Sequence, residues 1–107
     1  MGVQQMTVKE LHDLLKSGED PVLLDCREQQ EWDFCRIDGA VHIPMNQVGA
    51  RHHELDAANQ IVIYCHHGIR SAAVAEFLAR RGFPNVVNLE GGIDAWSLEV
   101  DPDVPRY

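Results

Sequence analysis

The sequence lacks any apolar run near the roughly 20 residues that a membrane-spanning helix needs. Its opening stretch, MGVQQMTVKE, has no basic start followed by a long apolar segment, so no secretory signal is visible. We therefore expect a cytoplasmic protein with no membrane partner.

Cysteine and basic residues are also scarce. Only three cysteines occur in 107 residues, and no two of them have the CxxC spacing that suggests a zinc site. This odd number, in a chain without a visible secretory signal, argues against a disulfide scaffold and for reduced thiols, one of which is a candidate nucleophile. The formal net charge is -8 and the nine Lys and Arg residues are scattered, so we expect no nucleic-acid partner. A small anion would have to be attracted by a local feature that overcomes this field.

What remains is the composition of one ordinary globular domain. The 107 residues (12.1 kDa) are 45% hydrophobic and 24% charged, which is typical of a single compact core. We predict one domain over residues 1–107, with a core at about 5–98 and a C-terminal tail at 99–107.

Helical and strand-like segments take turns along the chain. Thr7 and Glu10 fit a capping box, and the helix that they begin ends at Ser17-Gly18. Another helical face precedes Gly82, a natural end for that helix, and a weaker pattern predicts a short helix at about 46–55. Short apolar runs predict strands at 22–24, 41–43, 61–64 and 86–89.

The run Ile61-Val62-Ile63-Tyr64 shows no polar alternation, which suits a central strand of a parallel sheet covered on both faces. Strands that alternate with helices predict an α/β fold, with a central, mostly parallel sheet of about five strands flanked by helices on both faces. Ligands of such sheets bind outside the carboxyl ends of the strands, and Cys65 directly follows this one.

The segment after this strand combines a nucleophile with features that bind anions. Backbone N–H groups of a strand-to-helix loop, together with the positive end of the helix dipole, favour negative charge. Gly68 permits a tight curl, Arg70 adds a permanent cation, and no acid lies between Gln60 and Glu76. A cysteine facing such a centre has a depressed pKa, so Cys65 is the predicted nucleophile. The predicted substrate-binding residues are His66, His67, Gly68, Ile69, Arg70 and Ser71.

Other residues with reactive side chains have plainer interpretations. Cys26 and Cys35 are predicted to be inert core residues, because cysteine is among the most often buried residue types. Adjacent histidines rarely converge on one ion, so we predict no metal at the pair 66–67. Asp25 and Arg27 are predicted to form an ion pair that supports the carboxyl edge of the sheet.

Two chemistries use a cysteine in such a loop: phosphoryl transfer through a cysteinyl phosphate, and sulfur transfer through a persulfide. The pattern Cys-x-x-Gly-x-Arg-Ser at 65–71 resembles the active-site loop of the rhodanese family, whereas cysteine-based phosphatases generally have one residue more between Cys and Arg. Segments 25–28, 31–44 and 91–96 resemble further rhodanese motifs in the same order. One departure is Cys35-Arg36, where the family usually has Gly-His.

The resemblance implies a single-domain thiosulfate sulfurtransferase with no metal or organic cofactor. Cys65 would take a sulfane sulfur from a small anionic donor such as thiosulfate and pass it, as a persulfide, to cyanide or a thiol. The tail at 101–107 resembles the ending of rhodanese domains fused to enzymes that activate sulfur-carrier proteins, so relay to a carrier protein is an alternative. A rhodanese-fold regulatory or interaction module and, less favoured, a cysteine-based phosphatase or arsenate reductase remain open.

Overall fold

The computed structural model describes residues 2–107, so Met1, the first residue of the predicted domain, lies outside the described residues. The strands are β1 (Gln4–Met6), β2 (Val22–Asp25), β3 (Val41–His42), β4 (Ile61–Tyr64) and β5 (Val86–Leu89). They form one five-stranded sheet in the order β1-β5-β4-β2-β3, and every neighbouring pair is parallel. The predicted α/β fold is confirmed, and the most apolar predicted strand lies at its centre.

The described residues form five α-helices: α1 (Val8–Lys16), α2 (Gln29–Phe34), α3 (Val48–Arg51), α4 (Ile69–Arg80) and α5 (Gly92–Glu99). The capping box of α1 is confirmed, because the Glu10 N–H donates to Thr7 Oγ1 at 3.1 Å and the Thr7 N–H donates to Glu10 Oε1 at 2.8 Å. The short helix predicted at about 46–55 is α3 with a 3-10 turn on either side. Within residues 2–107, no helix is both long and apolar enough to cross a membrane.

Strand β4 separates two hydrophobic cores, because its side chains alternate between the two faces of the sheet. Ile61 and Ile63 face a core closed by α3 and α4. Val62 and Tyr64 face a second core closed by α1 and α5. All four side chains are 0% exposed, which explains why this strand is apolar at every position.

The sequence analysis predicts neither β1 nor α2. β1 carries Gln4 and Gln5 and lies at the edge of the sheet, where it pairs only with β5 and needs no apolar run. None of the residues of α2 is buried, so the helix shows no apolar periodicity. Both elements matter below, because they bring polar side chains to the loop after β4.

The carboxyl edge of the sheet contains a buried ion pair between Asp25, the last residue of β2, and Arg27. Arg27 Nη2 lies 2.6 Å from Asp25 Oδ2, and both side chains are 0% exposed. The same Nη2 donates to the carbonyl oxygen of Cys35 at 2.6 Å, and His42 Nε2 lies 2.7 Å from the carbonyl oxygen of Arg27. The pair therefore ties the ends of β2 and β3 to the chain that follows α2.

We predict that Asp25→Asn lowers the free energy of unfolding by about 3–5 kcal/mol, because it leaves the buried Arg27 guanidinium without a counter-charge. Urea unfolding followed by circular dichroism measures the change. The matched control is Glu54→Gln, which breaks the exposed Arg51–Glu54 pair (side chains 37% and 46% exposed) and should leave the midpoint nearly unchanged. Equal shifts in the two variants would contradict a structural role for the buried pair.

Candidate active site

The loop after β4 folds around the sulfur atom of Cys65. Gly68 precedes α4 with a φ of 107°, in the region that glycine adopts at little cost, and it has no side chain to cap the helix. Cys65 Sγ takes that role, accepting hydrogen bonds from the N–H of Gly68 at 3.1 Å and from the N–H of Ser71 at 3.4 Å. The sulfur thus lies at the positive end of the α4 dipole.

These hydrogen bonds affect the pKa of Cys65, which is 1% exposed. Burial by itself would raise the pKa of the thiol. Hydrogen bonds from the Ser71 hydroxyl and from the amides of Ser71, Gly68 and His67 outweigh burial, and the net effect is a lowered pKa. Since the thiolate is the nucleophilic form of cysteine, these surroundings favour the reactive form of Cys65.

The Ser71 hydroxyl has one proton and two acceptors within reach. Its oxygen lies 2.6 Å from Asn88 Oδ1 and 3.4 Å from Cys65 Sγ. These two acceptors compete for the proton, whereas the backbone amides cannot rotate away, so the amide hydrogen bonds are the constant contribution to the lowered thiol pKa. Asn88 Nδ2 also donates to the carbonyl oxygen of Gly68 at 3.3 Å and to Gln5 Oε1 at 3.1 Å. Asn88 of β5, itself hydrogen-bonded to Gln5 of β1, therefore holds the loop against the sheet.

The N-terminus of α5 fixes the other side of the loop. The Ile93 N–H donates to the carbonyl oxygen of Cys65 at 2.9 Å, and the Asp94 N–H donates to that of His66 at 3.1 Å. A Cβ atom at Gly92, whose φ is 58°, would lie 2.5 Å from each of these carbonyl oxygens. The two carbonyl groups point to α5, and the His67 N–H, which follows the His66 carbonyl group in the same peptide, is one of the amides that stabilise the thiolate.

Arg70, the predicted permanent cation of the loop, forms an ion pair with a carboxylate from outside the loop. Its Nη1 and Nη2 donate to the two carboxylate oxygens of Glu31 on α2, at 2.7 and 2.9 Å. The hydrogen bonds from Arg70, opposed in part by burial, lower the pKa of Glu31 to about 2, so the pair is ionised at neutral pH. The loop itself contains no acid, but the fold brings one to it, and the positive charge of Arg70 is largely cancelled.

The remaining predicted binding residues point in different directions. The His66 ring stacks on the Tyr107 ring with 3.9 Å between centroids, and its Nε2 is buried without a hydrogen-bond partner. His67 Nδ1 lies 3.9 Å from Asp94 Oδ2, with 59% of the side chain exposed. Ile69 is 82% exposed at the start of α4. In residues 2–107 no group of three or more His, Cys, Asp or Glu side chains is arranged to hold a metal ion.

The other two cysteines lie outside the loop. The N–H and Sγ of Cys26 both donate to the carbonyl oxygen of Tyr64, at 3.2 and 3.5 Å. Burial, with a further contribution from the charge of Cys65, raises the pKa of Cys26 to about 12. Cys35 is buried, with its Sγ 3.9 Å from Arg27 Nη1. All three cysteines are free thiols, and Cys65 is the one whose surroundings favour a thiolate.

The structure is an α/β protein with a cysteine sulfur held by backbone amides at the carboxyl edge of a parallel sheet, an arrangement that suits a nucleophile. A family model described as the rhodanese-like domain matches residues 7–99, which is most of the chain. The chain belongs to the rhodanese-like domain family.

Named relatives agree with this assignment. The chain is 38% identical over 104 residues to a probable adenylyltransferase/sulfurtransferase, MoeZ, of Mycobacterium tuberculosis, covering 95% of this chain but only 26% of that protein. It is 31% identical to the thiosulfate sulfurtransferase GlpE of Actinobacillus succinogenes, covering 90% of this chain and 86% of the relative. The crystal structure of a rhodanese-like domain protein from Staphylococcus aureus superposes with a TM-score of 0.84 at 28% identity, covering 98% of this chain and 99% of that one.

Besides the residues of α5, three further residues whose side chains contact the loop are absent from the predicted site: Glu31, Asn88 and Tyr107. Asn88 carries a usable signal, because it is the single polar residue in the buried strand β5. Glu31 and Tyr107 begin and end segments that resemble rhodanese sequences, but no spacing predicts their contact with the loop, because each reaches it from a distant part of the chain.

We predict that Gly92→Ala slows the alkylation of Cys65 by iodoacetamide about tenfold when the pH is below the pKa of the thiol. The new methyl group displaces the carbonyl groups of Cys65 and His66 and with them the amides, and each pKa unit gained by the thiol removes about nine-tenths of the thiolate. The control is Gly82→Ala, which also has a positive φ (92°) but no atom within 4 Å of the added Cβ. If Gly92→Ala reacts no more slowly than Gly82→Ala, the contact of the loop with Gly92 does not govern the reactivity of the thiol.

Proposed function

We propose that this protein is a sulfurtransferase that carries a sulfane sulfur on Cys65 as a persulfide. The observation that supports this most directly is the pair of amide hydrogen bonds to Cys65 Sγ from Gly68 and Ser71. They stabilise the thiolate before the first step, and they would stabilise it again when Cys65 Sγ becomes the leaving group of the second step.

The reaction has two steps, each a displacement at sulfur. The Cys65 thiolate attacks the outer sulfur of a donor such as thiosulfate, a new S–S bond forms, and the S–S bond of the donor breaks as sulfite leaves with the electron pair. A nucleophilic acceptor then attacks the outer sulfur of the persulfide, and the Cys65 thiolate leaves. With cyanide as acceptor the product is thiocyanate, and no external oxidant or reductant is consumed.

The acceptor is a thiol or the end of a sulfur-carrier protein, with cyanide as the convenient substitute in an assay. Carrier-protein relay is supported by the likeness to a relative whose name joins an adenylyltransferase with a sulfurtransferase, although this chain spans only 26% of that relative. The three free thiols fit a reducing compartment, so we propose that the reaction takes place in the cytoplasm.

We predict that Cys65→Ser abolishes transfer from thiosulfate to cyanide while the far-UV spectrum and thermal midpoint stay close to wild type. The wild-type protein, treated with thiosulfate and desalted, should gain the mass of one sulfur atom, and the Cys65→Ser variant should gain none. Cys26→Ser and Cys35→Ser are the matched controls and should keep their turnover with cyanide, because neither side chain belongs to the loop.

The same preparation separates sulfur transfer from the alternatives. Hydrolysis of p-nitrophenyl phosphate in place of thiocyanate formation would point to a phosphatase. A folded protein that neither gains sulfur nor turns over would point to a regulatory or interaction module, and either result would end the sulfurtransferase proposal.

We also predict that Arg70→Ala lowers kcat/KM for thiosulfate about tenfold to a hundredfold, the factor associated with one charge-assisted contact. The substitution removes a cation and leaves the Glu31 carboxylate unpaired near the incoming anion. Arg80→Ala, at the exposed far end of α4 where Arg80 lies 3.7 Å from Glu76, is the control and should match wild type. Wild-type kinetics in Arg70→Ala would mean that the backbone amides alone hold the donor.

A further inference from the structure

The C-terminal residue of the described chain lies against the active-site loop. The Tyr107 hydroxyl donates to Glu31 Oε2 at 2.6 Å and accepts a hydrogen bond from Arg27 Nη1 at 3.0 Å. Its ring stacks on the His66 ring at an interplanar angle of 7°. Tyr107 thus contacts the buried ion pair, the partner of Arg70 and the loop itself.

These contacts join the buried edge of the sheet to the rim of the site. Asp25 holds Arg27, Arg27 donates to Tyr107, and Tyr107 donates to Glu31. Glu31 in turn accepts both hydrogen bonds of the Arg70 side chain. Arg27 is 0% exposed and cannot shift, whereas the Arg70 side chain is 33% exposed and has no other protein acceptor among residues 2–107. The orientation of Arg70 therefore depends on how firmly Glu31 is held.

Glu31 is held by donors on both carboxylate oxygens. Oε1 accepts from the Glu28 N–H at 3.0 Å, which is part of the capping box of α2. Oε2 accepts from the Tyr107 hydroxyl and from Arg70 Nη2. Without the hydroxyl, the remaining donor to Oε2 among residues 2–107 is Arg70, the side chain whose position depends on this carboxylate. Burial and the contact with Glu31 raise the pKa of Tyr107 to about 12, so the phenol keeps the proton that it donates.

We propose that Tyr107 is a positioning residue of the sulfur-transfer site, which fixes the Glu31 carboxylate and through it the direction in which Arg70 meets an anionic donor. That the bound anion is a sulfur donor rests on the proposed function. The contacts among Tyr107, Glu31 and Arg70 do not, because they are present in the structure without substrate. Two of the five N–H groups of the Arg70 guanidinium donate to Glu31, and the other three are available to donate to an oxyanion.

The direct test compares Tyr107→Phe with wild type in the binding of an inert dianion. Sulfate should protect Cys65 from iodoacetamide, and the half-protecting concentration should rise about three- to tenfold in Tyr107→Phe, the factor carried by one lost hydrogen bond. The alkylation rate without sulfate should not change, because the amides that stabilise the thiolate are untouched. This measurement needs no turnover, so its result is independent of whether thiosulfate is the donor.

The kinetic counterpart is a rise in KM for thiosulfate of the same size, with little change in kcat. The decisive comparison places Tyr107→Phe in the Arg70→Ala background. A residue that acts through Arg70 has no further effect on sulfate binding once Arg70 is gone, whereas an equal loss in both backgrounds would overturn the proposal.

Two controls separate positioning from loss of structure. Arg106→Gln breaks the neighbouring contact of the tail with Asp94 (2.9 Å) and should leave sulfate protection unchanged, while an effect equal to that of Tyr107→Phe would count against the hydroxyl. In Tyr107→Phe the ring stays on His66, so the pKa of His66, lowered by burial, should remain low in an NMR titration. A return of that pKa toward its ordinary value would show that the tail has left the site and would overturn the assignment to the hydroxyl.

Discussion

The site depends on a single constraint, which is that the N-terminal amides of α4 need an acceptor and Gly68 offers no side chain for them. Cys65 Sγ fills the vacant capping position, and the hydrogen bonds from Gly68 and Ser71 offset the burial that would otherwise keep the thiol neutral. The rest of the local structure keeps those amides in place. Asn88 holds the carbonyl oxygen of Gly68, and α5 holds the carbonyl oxygen of Cys65.

The electrostatic design follows from the same constraint. The chain has a formal net charge of -8, and the cation nearest the nucleophile, Arg70, is neutralised by Glu31. Long-range attraction of the proposed anionic donor is therefore weak, and its capture would rely on groups that act over a few ångströms, the backbone amides and the N–H groups of Arg70 that Glu31 leaves available. Such a site favours an anion by shape and hydrogen bonding more than by charge, which suits a reaction in which negative charge moves from thiolate to donor sulfur and back again.

The parts that the sequence predicts are those in which the cause lies within a few residues. The β4 strand is apolar at every position, the Thr7–Glu10 capping box is local, and the loop from Cys65 to Ser71 contains its own glycine and helix start. Elements that depend on tertiary contacts are harder to predict. β1 is an edge strand stabilised by its partner, and α2 buries no residue. Glu31 and Tyr107 reach the loop only after the sheet has brought both ends of the chain together, so no spacing in the sequence foretells their contacts.

The dependence of the loop on α5 also bears on how the protein is made. The ribosome releases Cys65 before Ile93 and Asp94, which come later in the chain. The N–H groups of Ile93 and Asp94 hold the carbonyl groups of Cys65 and His66. Until the segment containing Ile93 and Asp94 has docked, the hydrogen bonds that hold these two carbonyl groups are missing, and we expect the amides around the sulfur to be less ordered. Nascent and partly translated chains should therefore be poor nucleophiles, and reactivity should appear only when the domain is complete.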